Sequence, residues 1–173
     1  MPSTPSQPEF DQFRDTLDGQ GVRASLVYLL GLTDYRFIGI WRFQNGRANA
    51  AVYYDRENPG VLHALEVPDT ATYCCFVRNS QGVFMTANAL LDARTQGHPA
   101  RDVVPTYCGV PIMDAEGQIL GTLCHYDLVP RDPTQIDLEL MLAVTSTLAL
   151  GGHVPAYPVC PPGPAGQTTS ASK

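Results

Sequence analysis

Five cysteines and four histidines are the residues here whose types could do chemistry. Cys74 and Cys75 are adjacent, Cys108 and Cys124 follow, and Cys160 falls in a proline-rich stretch near the C-terminus. The spacing contains no CxxC and no zinc pattern. An odd count with two neighbours argues against a disulfide framework and for reduced thiols, as in cytoplasm. Two readings of Cys74, Cys75, Cys108 and Cys124 remain open: small apolar core residues or redox thiols. Cys108 and Cys124 are the candidate redox pair, because they sit on consecutive strands. Cys124 or His125 could also ligate a metal or a haem. His98 precedes Pro99 on a loop, and His153 lies beyond the last helix. His125 shares a strand face with Gly121 and Leu123, either as a packed histidine or as a ligand-binding donor. The aromatic residues Trp41, Tyr53, Tyr73, Phe84 and Tyr107 are candidates for lining a pocket, since flat rings with a polar tip suit planar ligands, and Cys74 is a ligand-binding candidate beside them. No nucleophile elbow and no glycine-rich phosphate loop is present.

Composition narrows the partners. Hydrophobic residues make up 44% of the chain, enough for a core, and the formal net charge is -6. There is no basic run: Arg36, Arg42 and Arg47 are spread along a strand and a turn. Nucleic acid is therefore not an expected partner, because phosphate binding needs clustered cations. The N-terminus, MPSTPSQPEF, lacks the basic start and apolar core of a signal peptide. No apolar stretch reaches the roughly 20 residues of a membrane span. The expectation is a cytoplasmic protein with no membrane contact.

The elements that must position these residues follow from pattern. Residues 1–7 read as a disordered leader. Phe10, Phe13 and Leu17 lie on one helical face, Gly19 and Gly21 interrupt, and Val22, Leu26, Leu29 and Leu30 form a second stripe. Tyr35–Phe43 and Ala48–Tyr54 form a hairpin about Asn45-Gly46, the dipeptide that tight primed turns favour. A short helix runs through Tyr73 and Cys74, and a short strand follows at Phe84–Ala87. Tyr107–Met113 and Gln118–Tyr126 form a second hairpin about Asp114–Gly117. Asp132-Pro133 reads as the cap and first turn of a final helix. From residue 152 onward, prolines and small polar residues predict a disordered tail through residue 173.

The fold class expected is α+β. Hairpins make antiparallel neighbours, and both faces of the strands carry apolar residues: Phe37 and Trp41 on one, Ile38 and Ile40 on the other. The terminal helices cover one face. The irregular middle covers the other and forms the wall of a ligand pocket.

Several motifs carry a resemblance. They are Thr72-Tyr73-Cys74, the strand Thr106-Tyr107-Cys108-Gly109-Val110-Pro111, the turn Asp114–Gly117, the strand Gly121-Thr122-Leu123-Cys124, and Pro130-Arg131 before the last helix. Together they resemble a GAF domain of the stand-alone bacterial kind, over residues 8–151. The resemblance implies a pocket for a small organic ligand, an anion, a nucleotide, a haem or another tetrapyrrole. It also implies homodimers through the terminal helices and a signalling partner. A sensory domain that binds a small molecule is the first functional expectation. A thiol-dependent enzyme like free methionine-R-sulfoxide reductase is the second. Those enzymes separate two cysteines within the middle segment, whereas here Cys74 and Cys75 adjoin and none follows until Cys108. A bilin attached to Cys124-His125 fits poorly, because that dipeptide lies on a strand and not on the middle helix. A ligand-free interaction module is the third, and it predicts a filled interior.

Overall fold

The structure, a computed structural model, describes residues 7–159. The leader expectation for residues 1–6, the last part of the tail and Cys160 lie outside the described residues.

Helix α1 (Gln7–Gln20) and helix α2 (Val22–Leu30) are the two amphipathic pieces the pattern predicts, parted at Gly21. Phe13, Leu17, Leu26, Leu29 and Leu30 are buried along their shared face. Strands β1 (Phe37–Gln44) and β2 (Arg47–Asp55) pair antiparallel. Their turn residues Asn45 and Gly46 have φ of 51° and 73°, the left-handed geometry a primed turn requires. The middle segment contributes β3 (Val67–Pro68), a 3-10 turn at Asp69–Ala71, α3 (Cys74–Ser80) and β4 (Phe84–Thr86). Strands β5 (Thr106–Met113) and β6 (Ile119–Asp127) form the second hairpin, and α4 (Leu138–Leu150) closes the domain.

Among the described residues the six strands form one antiparallel sheet in the order β3-β2-β1-β6-β5-β4. One face packs against α1, α2 and α4 around Ile38, Ile40, Cys108, Val110, Leu123 and Val144. The other packs against the middle segment around Trp41, Tyr73, Cys74, Phe84, Tyr107 and Cys124. This is the α+β arrangement expected, with the two faces of β1 assigned as predicted.

Two details depart from the sequence expectation. Asp132 caps only a 3-10 turn at Pro133–Gln135, and Ile136 is extended before the true helix starts. Asp137 caps α4 instead, accepting from the Leu140 N–H at 3.1 Å. Ile136, the extended residue between the two caps, is buried in the core on the helical side of the sheet. The second departure lies past α4. Residues 153–159, expected as part of a disordered tail from residue 152, lie back along the domain. Val154 packs on the helical core, Arg42 Nη1 donates to the Pro155 carbonyl at 2.6 Å, and Tyr157 Oη donates to Glu66 at 2.6 Å. No helix among the described residues is long and apolar enough to cross a membrane.

Candidate ligand-binding site

A cavity of about 180 Å3 lies between the sheet and the middle segment. Trp41 from β1, Tyr107 from β5 and Cys124 and Tyr126 from β6 form its floor. Val67, Ala71, Thr72, Tyr73 and Cys74 form one side of its roof, and Ala100 and Val104 the other. Its walls are almost entirely apolar. Tyr73 Oη donates to the Val104 carbonyl at 3.0 Å, which joins the two sides of the roof. The indole N–H of Trp41 is buried and has no hydrogen-bond partner.

Register decides which predicted residues meet here. Tyr107 is opposite Tyr126, Gly109 is opposite Cys124, and Cys108 is opposite His125. Because side chains alternate faces along a strand, Tyr107, Cys124 and Tyr126 face the cavity. Cys108 and His125 face the helices. Of the candidate residues, Trp41, Tyr73, Cys74 and Tyr107 line the cavity. His125 does not: it lies among the helices, edge-on to Tyr35 at 6.0 Å. Cys108 and Cys124 lie on opposite faces of the sheet, so they are not the pair their neighbouring strands suggested. Cys124 and His125 likewise cannot hold one ligand together. Among the described residues no group of three or more side chains could hold a metal ion.

Phe84 and Tyr53 stand one layer behind the lining. Phe84 packs on Phe76 at 4.6 Å and on Tyr73 at 5.9 Å, bracing the roof. Tyr53 packs on Phe37 at 6.2 Å, and Phe37 stacks on Tyr126 at 4.7 Å. The lining residues that composition alone left unmarked are Val67, Ala71, Thr72, Ala100, Val104 and Tyr126. The period-2 spacing of Thr122, Cys124 and Tyr126 was the available signal for the last.

Two hydroxyls converge on the sulfur of Cys74 at the cavity's edge. Thr122 Oγ1 donates to Cys74 Sγ at 3.0 Å, and Tyr107 Oη donates to the same atom at 3.3 Å. Cys124 adjoins this cluster across the cavity, its own thiol directed to the Gly39 carbonyl at 3.8 Å. Complete burial works against a charge on Cys74. The convergence of these donors nevertheless holds its thiol below the ordinary thiol range. Burial, reinforced by Cys74, pushes Cys124 well up. Burial alone pushes Cys108 up to about 12. Burial also raises Cys75, whose sulfur lies 3.7 Å from His98 Nε2. The Tyr73 phenol rises to about 12 by burial, and the Tyr107 phenol well above its usual value for the same cause. His125 is driven down to about 4 by burial, so it is a neutral imidazole, and its Nε2 has no partner.

A curled antiparallel sheet with helices on one face and a roofed cavity on the other defines a class of domain. The chain belongs to the GAF domain family, whose model matches residues 20–151. It is 37% identical over 75 residues to a cyclic di-GMP phosphodiesterase of Pseudomonas aeruginosa. That match covers 42% of this chain and 13% of the phosphodiesterase, so the likeness reaches only a small part of the enzyme. Among solved structures, the GAF domain of an Acinetobacter phosphoenolpyruvate-protein phosphotransferase superposes with a TM-score of 0.64 at 12% identity, covering 82% of this chain and 89% of that one. Free methionine-R-sulfoxide reductase from Neisseria meningitidis superposes with a TM-score of 0.60 at 13% identity, covering 79% and 82%. At these identities the structural likeness concerns the fold alone.

Proposed function

We propose that this chain is a sensory module that takes one small, mostly apolar molecule into the cavity between the sheet and the middle segment. The observation that carries this reading is the cavity itself, with its apolar walls and a single cluster of hydrogen-bonding groups. Pockets for drug-sized ligands run to about 300–1,000 Å3. At about 180 Å3 this one suits a smaller guest than a haem, a bilin or a cyclic dinucleotide. Occupancy acts on the roof, because Tyr73, Cys74, Ala100 and Val104 belong to the least regular part of the domain. A guest that fits only the closed roof shifts the population toward it. Output then passes to a partner, or to self-association of the terminal helices, where α4 exposes Leu142 and Leu150.

The test is a thermal-shift panel of phenols, indoles, short-chain ketones and small carboxylic acids on the full chain. A guest at a hundred times its Kd stabilises the fold by about 2.7 kcal/mol, roughly 5–11 °C for a chain of this size. Ala100→Phe fills the cavity and is expected to abolish the shift while leaving the protein folded. A panel without effect on the native chain, or equal shifts in Ala100→Phe, overturns the reading. Turnover of free methionine sulfoxide with a dithiol reductant would assign an enzyme instead.

A further inference from the structure

The cavity carries more chemistry than an apolar receptacle needs. Cys74, at the start of α3 in the roof, and Cys124, on β6 in the floor, both line it, and the Tyr107 ring, whose hydroxyl reaches Cys74 Sγ, folds over Gly109, the residue opposite Cys124. Thr122 and Tyr107 add their hydroxyl protons to the same sulfur at 3.0 and 3.3 Å. Cys74 is thus the electron-rich member of the cluster and Cys124 the protonated one. Neither of the other described thiols shares this setting. Cys108 is on the opposite face of the sheet, and Cys75 is turned to His98.

We propose that Cys74 and Cys124 form a redox couple, in which a small hydroperoxide admitted to the cavity oxidises Cys74 and Cys124 resolves the product as a disulfide. This rests on the cavity being the module's sensory site and names the class of molecule that site takes. A short alkyl hydroperoxide matches the cavity in chemistry. Its carbon end meets apolar walls, and its peroxide end meets the Cys74 sulfur and the Tyr107 hydroxyl. The Cys74 sulfur attacks the terminal oxygen. An S–O bond forms, the O–O bond breaks, and the departing alkoxide takes the thiol proton and leaves as the alcohol. Sulfur is oxidised to the sulfenic acid and the hydroperoxide is reduced. Cys124 Sγ then attacks Cys74 Sγ, an S–S bond forms, the S–O bond breaks, and hydroxide leaves with the Cys124 proton as water. A dithiol reductant restores both thiols by exchange. The disulfide ties the first residue of α3 to the centre of the sheet, so oxidation is read out as a locked roof.

The test treats the full-length chain, in a Cys160→Ser background, with tert-butyl hydroperoxide, blocks the remaining thiols and maps them by mass spectrometry. The expected first product is the peptide pair linked through Cys74 and Cys124, forming roughly tenfold faster than any oxidation of Cys75 or Cys108. Cys124→Ser is expected to leave a sulfenic acid at Cys74 that dimedone traps, and Cys74→Ser to leave Cys124 unreactive. Should Cys74→Ser not fold, the linked peptide and the Cys124→Ser trap still decide the matter. Absence of the linked peptide, or oxidation spread evenly over the four described thiols, overturns the couple. If inert phenols or ketones still raise the melting temperature in that case, the sensory reading stands and only the redox couple falls.

Discussion

Gly109→Ala is the sharpest probe of how the cavity floor is built. Gly109 is opposite Cys124, and the Tyr107 ring folds across its Cα. A methyl group at Gly109 would stand 2.6 Å from Tyr107 Cε1 and 2.7 Å from Cζ, and closer still to the hydroxyl oxygen. Carbon pairs prefer about 3.5–4.0 Å, so the ring must retreat by roughly 1 Å. It has nowhere to go: Tyr107 is 3% exposed, with the Tyr73 ring centred 5.3 Å away and Phe84 at 6.1 Å. Overpacking of this kind costs about 1–3 kcal/mol. Pulling Tyr107 Oη away from Cys74 adds about 1 kcal/mol. The expected loss is about 2–4 kcal/mol, or roughly 4–16 °C in melting temperature. A double-mutant cycle isolates the cause. Tyr107→Ala alone should cost about 3–5 kcal/mol through the cavity it leaves. Adding Gly109→Ala to that variant should then cost less than about 1 kcal/mol, because the obstructing ring is gone. Chemical denaturation of the four proteins measures the cycle. Equal penalties for Gly109→Ala in both backgrounds would refute the reasoning.

Three further outcomes follow from groups described above. Asp55 accepts from Arg36 Nε at 2.8 Å and Nη2 at 2.9 Å, and also from the Glu57 N–H and Asn58 Nδ2, so its carboxyl is held well below its usual 3.8. Its contribution is complete above that unfolded value, shrinks as pH falls below it and is lost only below the much lower folded value; Asp55→Asn should cost about 2 kcal/mol at pH 7 and clearly less, though not nothing, at pH 2, measured by urea melts across pH. His125 stays neutral in the fold down to about 4 but protonates near 6.5 when unfolded. Its contribution is therefore complete above pH 6.5 and declines toward pH 4 by up to about 1.4 kcal/mol per unit; His125→Leu should flatten that part of the profile, and a native imidazole NMR signal that titrates above pH 6 would contradict it. Truncation after Gly152 removes the Pro155 carbonyl from Arg42, whose Nε is already buried without a partner. It should lower stability by about 1–3 kcal/mol, and an unchanged denaturation midpoint would show that residues 153–159 hold nothing in place.

How far the sequence revealed this arrangement depends on the distance over which each feature is specified. Both hairpins were legible because alternation and turn chemistry are local: Asn45-Gly46 needs no knowledge of the rest of the fold. The assignment of Trp41, Tyr73, Cys74 and Tyr107 to one cavity followed from residue type and from placing the irregular segment over the sheet. His125 keeps the strand face it shares with Leu123, but that face packs on the helices, and which face of a strand meets the cavity is fixed only by tertiary packing. The register here also carries irregularities at Ile40/Trp41 and Ile112/Met113 that alternation alone does not reveal. Asp132 and Asp137 are both good caps, and only the burial of Ile136 between them selects the second. The stretch 153–159 has the composition of a disordered tail, yet Arg42 and Glu66 hold it from far away in sequence. Ala71, Ala100 and Val104 carry no chemical mark, and only tertiary placement makes them a wall.

The strap at 153–159 has a mechanical corollary. Tyr157 grips Glu66, and the very next residue along the backbone, Val67, is part of the cavity wall. One hydrogen bond and one peptide step thus separate the cavity wall from the segment 153–159. Under the proposed sensory reading, a guest that displaced β3 would pull on residues 153–159 directly, with no need for motion to travel through the helices on the far side of the sheet.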